Sequence, residues 1–173
     1  SHATVRALEA APDRMGSRLN VFATRPGDAQ PNRMDLLGQI FGREEEARAI
    51  LAPALATGPV TRTFTEMPYW KAQQVLGLAG PPNRYAESSM FAPRLPDAYF
   101  TAAFRHLRAW PGTRAFAVLT LFQTGGRISA QAPDATAYVH RDAAWLVNSN
   151  IDWTHLDSPA VLRAALDWQQ GPV

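Results

Sequence analysis

The chain has 173 residues, enough for one domain with a sizeable core, and its 46% hydrophobic and 18% charged residues exclude a disordered chain. The 17 basic and 15 acidic residues leave a net charge of +2, and the basic ones are dispersed, so neither nucleic acid nor an anionic membrane is expected as a partner. There is no cysteine, and the four histidines lack metal-ligand spacing, so disulfides, thiolate catalysis and a metal site are not expected.

The first half of the chain predicts helices alternating with strands. Pro12 is expected to stop the first helix, and Pro53 to kink or shorten the second, whose acidic first turn suits the positive end of a helix. The predicted elements are a helix at 3–11, strands at 17–24 and 36–41, a helix at 43–56, a strand at 60–67 and a helix at 69–78.

The second half continues this rhythm. The long apolar segment 114–123 predicts a central strand, Gly125 and Gly126 predict a hairpin turn, and Ser158 predicts the N-cap of a last helix with Pro159 at its first position. The predicted elements are a strand at 84–91, a helix at 96–110, strands at 114–123, 126–131 and 136–152, and a helix at 158–170. Together they predict an α+β fold, with a mostly antiparallel β-sheet and helices packed on one face. No linker divides residues 1–173, so we expect a single domain.

The strand 142–153 carries the clearest candidate site. Its alternation places Asn148 and Asn150 on one face, opposite Trp145 and Val147. Two interpretations remain open, because the asparagines either face solvent or look into a polar cleft, where carboxamides donate to and accept from a ligand. Gln123 and Tyr138 are further candidates for the cleft on neighbouring strands.

His140, Arg141 and Asp142 form a second group with two interpretations. On a strand, His140 and Asp142 would share a face and Arg141 would take the other. A structural network that anchors the strand is favoured over catalysis, because a histidine with an acidic neighbour is common in ordinary sheets. No dinucleotide, phosphate-loop or hydrolase motif is present, and no catalytic residue can be assigned.

A series of motifs resembles the substrate domain of berberine-bridge-enzyme-like oxidases, in the vanillyl-alcohol-oxidase superfamily. In order they are a glycine-started helix at 42–55 (GREEEARAILAPAL), EMPYWKAQQ at 66–74, SSMFAPRLP at 88–96, and GGRISAQAPDATAYVHRDA at 125–143 followed by a strand ending in Trp153. Each motif alone is weak, and their order and spacing over 16–168 carry the resemblance.

The resemblance implies an FAD-dependent oxidoreductase. In that family a separate domain binds FAD, and the substrate domain lays its sheet over the isoalloxazine ring, where an organic substrate transfers hydride to the flavin. The expected partners are therefore a small organic substrate and the FAD-binding domain of the same chain. The family's FAD domain and C-terminal tail have no counterpart in these residues, and some members place a catalytic Glu near Val147 or Asn148. We expect any side-chain base to lie outside this segment.

The same features predict how these residues behave alone. With no phosphate-cradling loop they should be inactive and hold no FAD tightly, and an uncovered sheet face should promote self-association. A competing hypothesis is a self-standing α+β ligand-binding or dimerisation module without redox activity, in which the tryptophans fill the core or line a groove. Without a membrane span or a secretory leader the protein is expected in the cytoplasm, although a start at Ser-His-Ala leaves the native N-terminus open.

Overall fold

The computed structural model describes residues 2–27, 29, 32–59, 61–75 and 84–171. Its elements in chain order are α1 (His2–Glu9), β1 (Met15–Phe22), β2 (Met34–Ile40), α2 (Glu44–Ile50), α3 (Ala52–Leu55), α4 (Tyr69–Val75), β3 (Arg84–Ala92), α5 (Asp97–Arg108), β4 (Ala117–Gln123), β5 (Trp145–Trp153) and α6 (Pro159–Gln169). The strands form one sheet in the order β2-β1-β4-β5-β3, and every neighbouring pair is antiparallel. The predicted α+β class and the central position of β4 are confirmed.

Three helices cover one face of this sheet. Trp145, at the start of β5, is fully buried there, and its indole Nε1 donates to Glu9 Oε1 on α1 over 3.2 Å. The main core combines Val5 and Leu8 of α1 and Phe100, Ala103 and Leu107 of α5 with Leu19, Val21, Leu119, Leu121, Trp145 and Val147 of the sheet. A smaller cluster joins Ala165 of α6 to Ala117 and Ile151. We call this side the helix-packed face.

The predicted helix 43–56 is broken where Pro53 was expected to act. Leu51, with φ −89° and ψ 5°, ends α2 and precedes the four-residue helix α3. Pro53 has no N–H to donate to Ala49 O, so the series of helical hydrogen bonds is interrupted and α2 is short. Ser158 caps α6 as predicted, since its Oγ accepts from the Val161 N–H over 3.3 Å.

The predicted strand at 60–67 is wrong over its described residues, 61–67, which are irregular. These residues lie beside α2 and do not pair with an edge strand of the sheet. Glu66 Oε1 accepts from the Glu44 N–H over 3.0 Å, and the Arg48 guanidinium lies over the Phe64 ring, 4.2 Å from its centroid. Residue 60 and the end of the predicted helix 69–78 lie outside the described residues.

The strands predicted at 126–131 and at 136–144 are also wrong, and so is the hairpin turn. Residues 124–144 form a long irregular connection, here called the 124–144 loop, and β5 begins only at Trp145. Its backbone closes local turns, such as Ala130 N–H to Gly126 O at 3.1 Å, and Gly126 has a φ of 65°. Such a φ suits glycine and turns the chain out of the ladder.

The two faces should differ in their contribution to stability. Leu121 on β4 is 1% exposed in the core, whereas Leu146 on β5 is half-buried on the opposite face. We expect Leu121→Ala to lower the free energy of unfolding by about 2–5 kcal/mol, and Leu146→Ala by clearly less, because little cavity remains at a partly open site. Urea denaturation measures both, and equal losses would contradict this division of the sheet.

Tyr99 of α5 offers a test that depends on pH. Its hydroxyl is buried and has no hydrogen-bond partner in the part of the chain that the structure describes, and burial raises the pKa of Tyr99 to about 12. The unfolded chain therefore loses this proton first, so the stability linked to Tyr99 is complete below about pH 10 and falls as the pH rises toward 12. Tyr99→Phe should be neutral or slightly stabilising at neutral pH, because no bond is lost.

The same variant should flatten the alkaline decline in urea midpoint between about pH 8 and about pH 11. Tyr85, which is 65% exposed, provides the control, since Tyr85→Phe should leave the decline unchanged. An unchanged decline in Tyr99→Phe would show that the hydroxyl is not held in an apolar site.

Candidate functional site

The face opposite the helix-packed one, here called the second face, carries most of the polar strand side chains. Antiparallel register sets them in rows that cross the sheet, with about 4.8 Å between neighbouring strands. One row crosses all five strands with polar groups, and we call it the polar row: Asp35, Asn20, Thr120, Asn148 and Ser89. The next row is apolar except for one arginine, and we call it the Arg18 row: Leu37, Arg18, Phe122, Leu146 and Phe91.

Asn148 and Asn150 lie on the second face, as the alternation of β5 predicts. Both are half-buried, while their neighbours Val147 and Ile151 are 5% and 0% exposed on the helix-packed face. Asn148 Nδ2 donates to Ser89 Oγ over 3.0 Å. Asn150 Nδ2 donates to Asp152 Oδ1 over 2.6 Å, whereas Asn150 Oδ1 is buried with no partner. This acceptor has a hydrogen-bonding capacity that the described residues leave unused.

Gln123 does not belong with these asparagines, which corrects the predicted grouping. It lies opposite Trp145 in the ladder and therefore on the helix-packed face. Its Nε2 donates to Leu8 O of α1 over 2.9 Å, and its Oε1 accepts from Ser17 Oγ over 2.9 Å. The carboxamide fixes α1 to the sheet, because both of its ends are bonded inside the protein.

Tyr138 lies in the 124–144 loop rather than on a strand, yet it stands beside the second face. The His140 ring stacks on Phe91 of the Arg18 row at 3.9 Å between centroids and 12° between planes. Tyr138 meets the same Phe91 ring edge-on at 5.9 Å. The loop is thereby attached to the β3 margin of the second face.

The group around His140 is built differently from the prediction. Arg141 donates to Ile128 O over 3.2 Å and to Thr136 Oγ1, and its guanidinium lies 5.0 Å from the Tyr138 ring centroid, so it organises the loop. Asp142 is exposed, and among the described residues no hydrogen bond joins it to His140. The predicted shared strand face fails because these residues are not in a strand.

The opposite margin of the second face carries α4. Gln39 of β2 donates through Nε2 to Ala72 O, and its Oε1 accepts from Gln73 Nε2 over 3.0 Å. Tyr69 and Trp70 at the start of this helix are 57% and 61% exposed. The polar row therefore runs between an aromatic-bearing helix at one edge of the sheet and an aromatic-bearing loop at the other.

The chemistry of the second face is that of binding and orientation. It offers amides, hydroxyls, one guanidinium and the carboxylates of Asp35, Glu87 and Asp152, of which Asp35 is paired with Arg33 at 3.1 Å. Across the described ranges, no three His, Cys, Asp or Glu side chains are grouped so that they could hold a metal ion. No helix in that part of the chain is long and apolar enough to cross a bilayer.

Sequence reasoning missed Arg18, Asn20, Thr120 and Ser89. The signal was present in β1, where Arg18 and Asn20 alternate with Leu19 and Val21. Thr120 was hidden inside a run of apolar residues, and it is 6% exposed with its Oγ1 donating to Asn20 Oδ1 over 3.1 Å. Only the strand order shows that these residues share a row with Asn148.

Solved structures share this fold. Berberine bridge enzyme from Eschscholzia californica superposes with a TM-score of 0.79 at 18% identity, over 98% of this chain and 35% of that enzyme. A carbohydrate oxidase from Microdochium nivale gives 0.71 at 17% identity, over 97% and 39%. A glucooligosaccharide oxidase from Acremonium strictum gives 0.70 at 20% identity, over 98% and 39%. The chain thus spans little more than a third of these FAD-linked oxidases.

No protein-family model and no curated protein sequence matches the chain. At these identities the neighbours establish the fold, and the resemblance seen in the sequence motifs is confirmed at that level. The chain has the fold of a segment of berberine-bridge-enzyme-like oxidases.

The stacking of His140 on Phe91 should control how firmly the 124–144 loop is held. We expect His140→Ala to cost about 0.5–1.5 kcal/mol of local stability, because an aromatic pair contributes roughly that much beyond its buried area. Hydrogen exchange of the amides at 126–142 should become faster, while the amides of β4 and β5 should keep their protection. His155→Ala is the control, since His155 is exposed, and identical exchange in both variants would contradict the anchoring role.

Proposed function

We propose that this chain is the substrate-binding domain of an FAD-dependent oxidoreductase, and that its second face covers the isoalloxazine ring and shapes the pocket for an organic substrate. The observation that carries the proposal is the polar row, of which Asp35, Asn20 and Asn148 are half-buried, on the sheet face that α1, α5 and α6 leave uncovered, in a fold shared with FAD-linked oxidases. In an isolated module this row would only meet water.

The residues of the second face fit the ring of a flavin better than its phosphates. The unpartnered Asn150 Oδ1 and the amide of Asn148 can exchange hydrogen bonds with a heterocycle that carries both donors and acceptors. Neither a glycine-rich phosphate loop nor a cluster of cations stands on this face among the described residues. The pyrophosphate would therefore be held elsewhere in the natural protein.

When bound, FAD would supply the hydride acceptor, and the protein would supply position and electrostatics. Asn148 and Asn150 would orient the substrate through their carboxamides. Tyr138 and His140, placed by the 124–144 loop, would close the β3 side of the pocket, and Tyr69 and Trp70 would border its β2 side. Each of these roles needs side chains that the helices leave accessible.

Two of the solved structures that share this fold contain a bound small molecule. Berberine bridge enzyme has been solved in complex with (S)-reticuline, and the Microdochium nivale oxidase in complex with a substrate analogue. These ligands belong to those proteins, and their differing chemistry means that the fold alone does not select a substrate. For this chain the selection would reside in the side chains of the second face.

The proposal is tested in the natural protein that contains this chain, purified with FAD. Asn148→Ala should lower kcat/KM by about 2- to 12-fold, since one neutral hydrogen bond contributes roughly 0.5–1.5 kcal/mol. Anaerobic reduction of the flavin by substrate, followed by its absorbance, measures the effect on the hydride step.

Ser149→Ala is the matched control, because Ser149 is adjacent in β5 but belongs to the helix-packed face. Its flavin reduction rate should match that of the parent protein. A natural protein that copurifies with no flavin and is not reconstituted by added FAD would contradict the proposed function and favour a self-standing binding module.

A further inference from the structure

Arg18 differs from every other arginine of the chain. All are exposed except Arg18 and Arg141, which are half-buried. In both, Nε is buried and unsatisfied, but Arg141 donates through its other nitrogens to Ile128 O and Thr136 Oγ1, whereas Arg18 has no hydrogen-bond or ion-pair partner among the described residues. The strand β1 thus holds a partly desolvated cation on the second face, and no side chain in the described ranges neutralises it.

The surroundings of Arg18 explain this isolation. Its neighbours across the sheet are Leu37 and Phe122, neither of which can accept a hydrogen bond from a guanidinium. The nearby carboxylate of Asp35 is engaged by Arg33 at 3.1 Å. A buried N–H without an acceptor destabilises the free protein, and a ligand that supplies the acceptor recovers that free energy on binding.

We propose that Arg18 is a specificity-determining residue that binds a carboxylate on the substrate. A guanidinium presents its N–H groups as a planar fork that matches the two oxygens of a carboxylate, and charge-assisted bonds of this kind are stronger than neutral ones. The inference rests on the proposed function, because it assigns the substrate class of the same face.

The rest of the Arg18 row indicates what the carboxylate is attached to. Phe122, Leu146 and Phe91 follow Arg18 across three strands, over about 14 Å. An apolar or aromatic body could lie along these side chains, with His140 stacked at the far end. The polar row lies alongside the Arg18 row and would contact polar substituents of the bound substrate. The preferred substrate is therefore an aromatic or otherwise apolar carboxylic acid, rather than a neutral alcohol.

Binding of two matched probes to the 173-residue chain tests this assignment. The probes are biphenyl-4-carboxylate and biphenyl-4-carboxamide, which share shape and differ in charge, and titration is followed by NMR, including the Arg18 Nε–H resonance. We expect the dissociation constant of the carboxylate to be at least about 10-fold lower than that of the carboxamide, because charge-assisted hydrogen bonds to Arg are stronger than neutral ones. The Nε–H signal should shift only with the carboxylate.

Arg18→Gln should abolish the preference for the carboxylate while retaining binding of the amide. Arg163→Gln is the control, because it removes an exposed charge on α6, which packs on the opposite face of the sheet. Arg18→Lys should give an intermediate preference, since it keeps the charge and loses the fork. Thermal unfolding of each variant identifies any loss that comes from misfolding.

Equal affinities for the two probes, or an unchanged preference in Arg18→Gln, would overturn the inference. So would a preference that exists in the isolated chain and disappears in the natural protein, because Arg18 would then serve a carboxylate of the remaining polypeptide. If the unsubstituted chain shows no preference for the carboxylate while Asn148→Ala still slows flavin reduction in the natural protein, the inference fails and the proposed function stands. If the preference is found and the natural protein neither copurifies with flavin nor is reconstituted by added FAD, the inference stands and the proposed function fails.

Discussion

The structure depends on the burial of one face of the central strands β4 and β5 beneath α1, α5 and α6. Leu121, Val147, Ile151 and Trp145 are all 5% exposed or less, and they form the main contact between sheet and helices. Because side chains alternate along a strand, committing these residues to the core commits Thr120, Asn148 and Asn150 to the other side. The candidate site is thus a direct consequence of how the core is packed.

The second face combines this fixed placement with incomplete satisfaction of its polar groups. Most side-chain amides here are bonded to neighbours, such as Asn148 to Ser89, which holds their orientation. Asn150 Oδ1 and Arg18 Nε are exceptions, each buried without a partner. Unpartnered polar atoms on a rigid sheet are costly to the free protein and well placed for a ligand, because little further ordering is needed on binding.

The predictable parts of the fold follow from local rules. Alternation in β5 placed Asn148 opposite Trp145, and the Ser158 cap fixed the start of α6. The strands predicted at 60–67 and 126–131 failed because a strand needs a neighbour to pair with, and local pattern does not show whether one is available. Residues 61–67 lie instead beside α2, and Ile128 of the second segment accepts a hydrogen bond from Arg141 within the 124–144 loop.

The site was predicted less completely than the fold, for a related reason. Gln123 was grouped with Asn148 although its alternation with Phe122 places it beneath α1, where it bonds Leu8 O. Arg18 and Asn20 were missed because they are about 100 residues from their row neighbours, Phe122 and Thr120, and meet them only through the order of strands. A row that crosses a sheet is a property of register, which no single strand contains.

A structure of the natural protein with FAD bound tests the central claim most directly, through the distance between the isoalloxazine ring and the sheet. We expect the side chains nearest the ring to include Asn148 or Asn150 of the second face, with ring and face separated by no more than one substrate molecule. A ring placed against α1, α5 or α6, or a protein that holds no flavin at all, would contradict it.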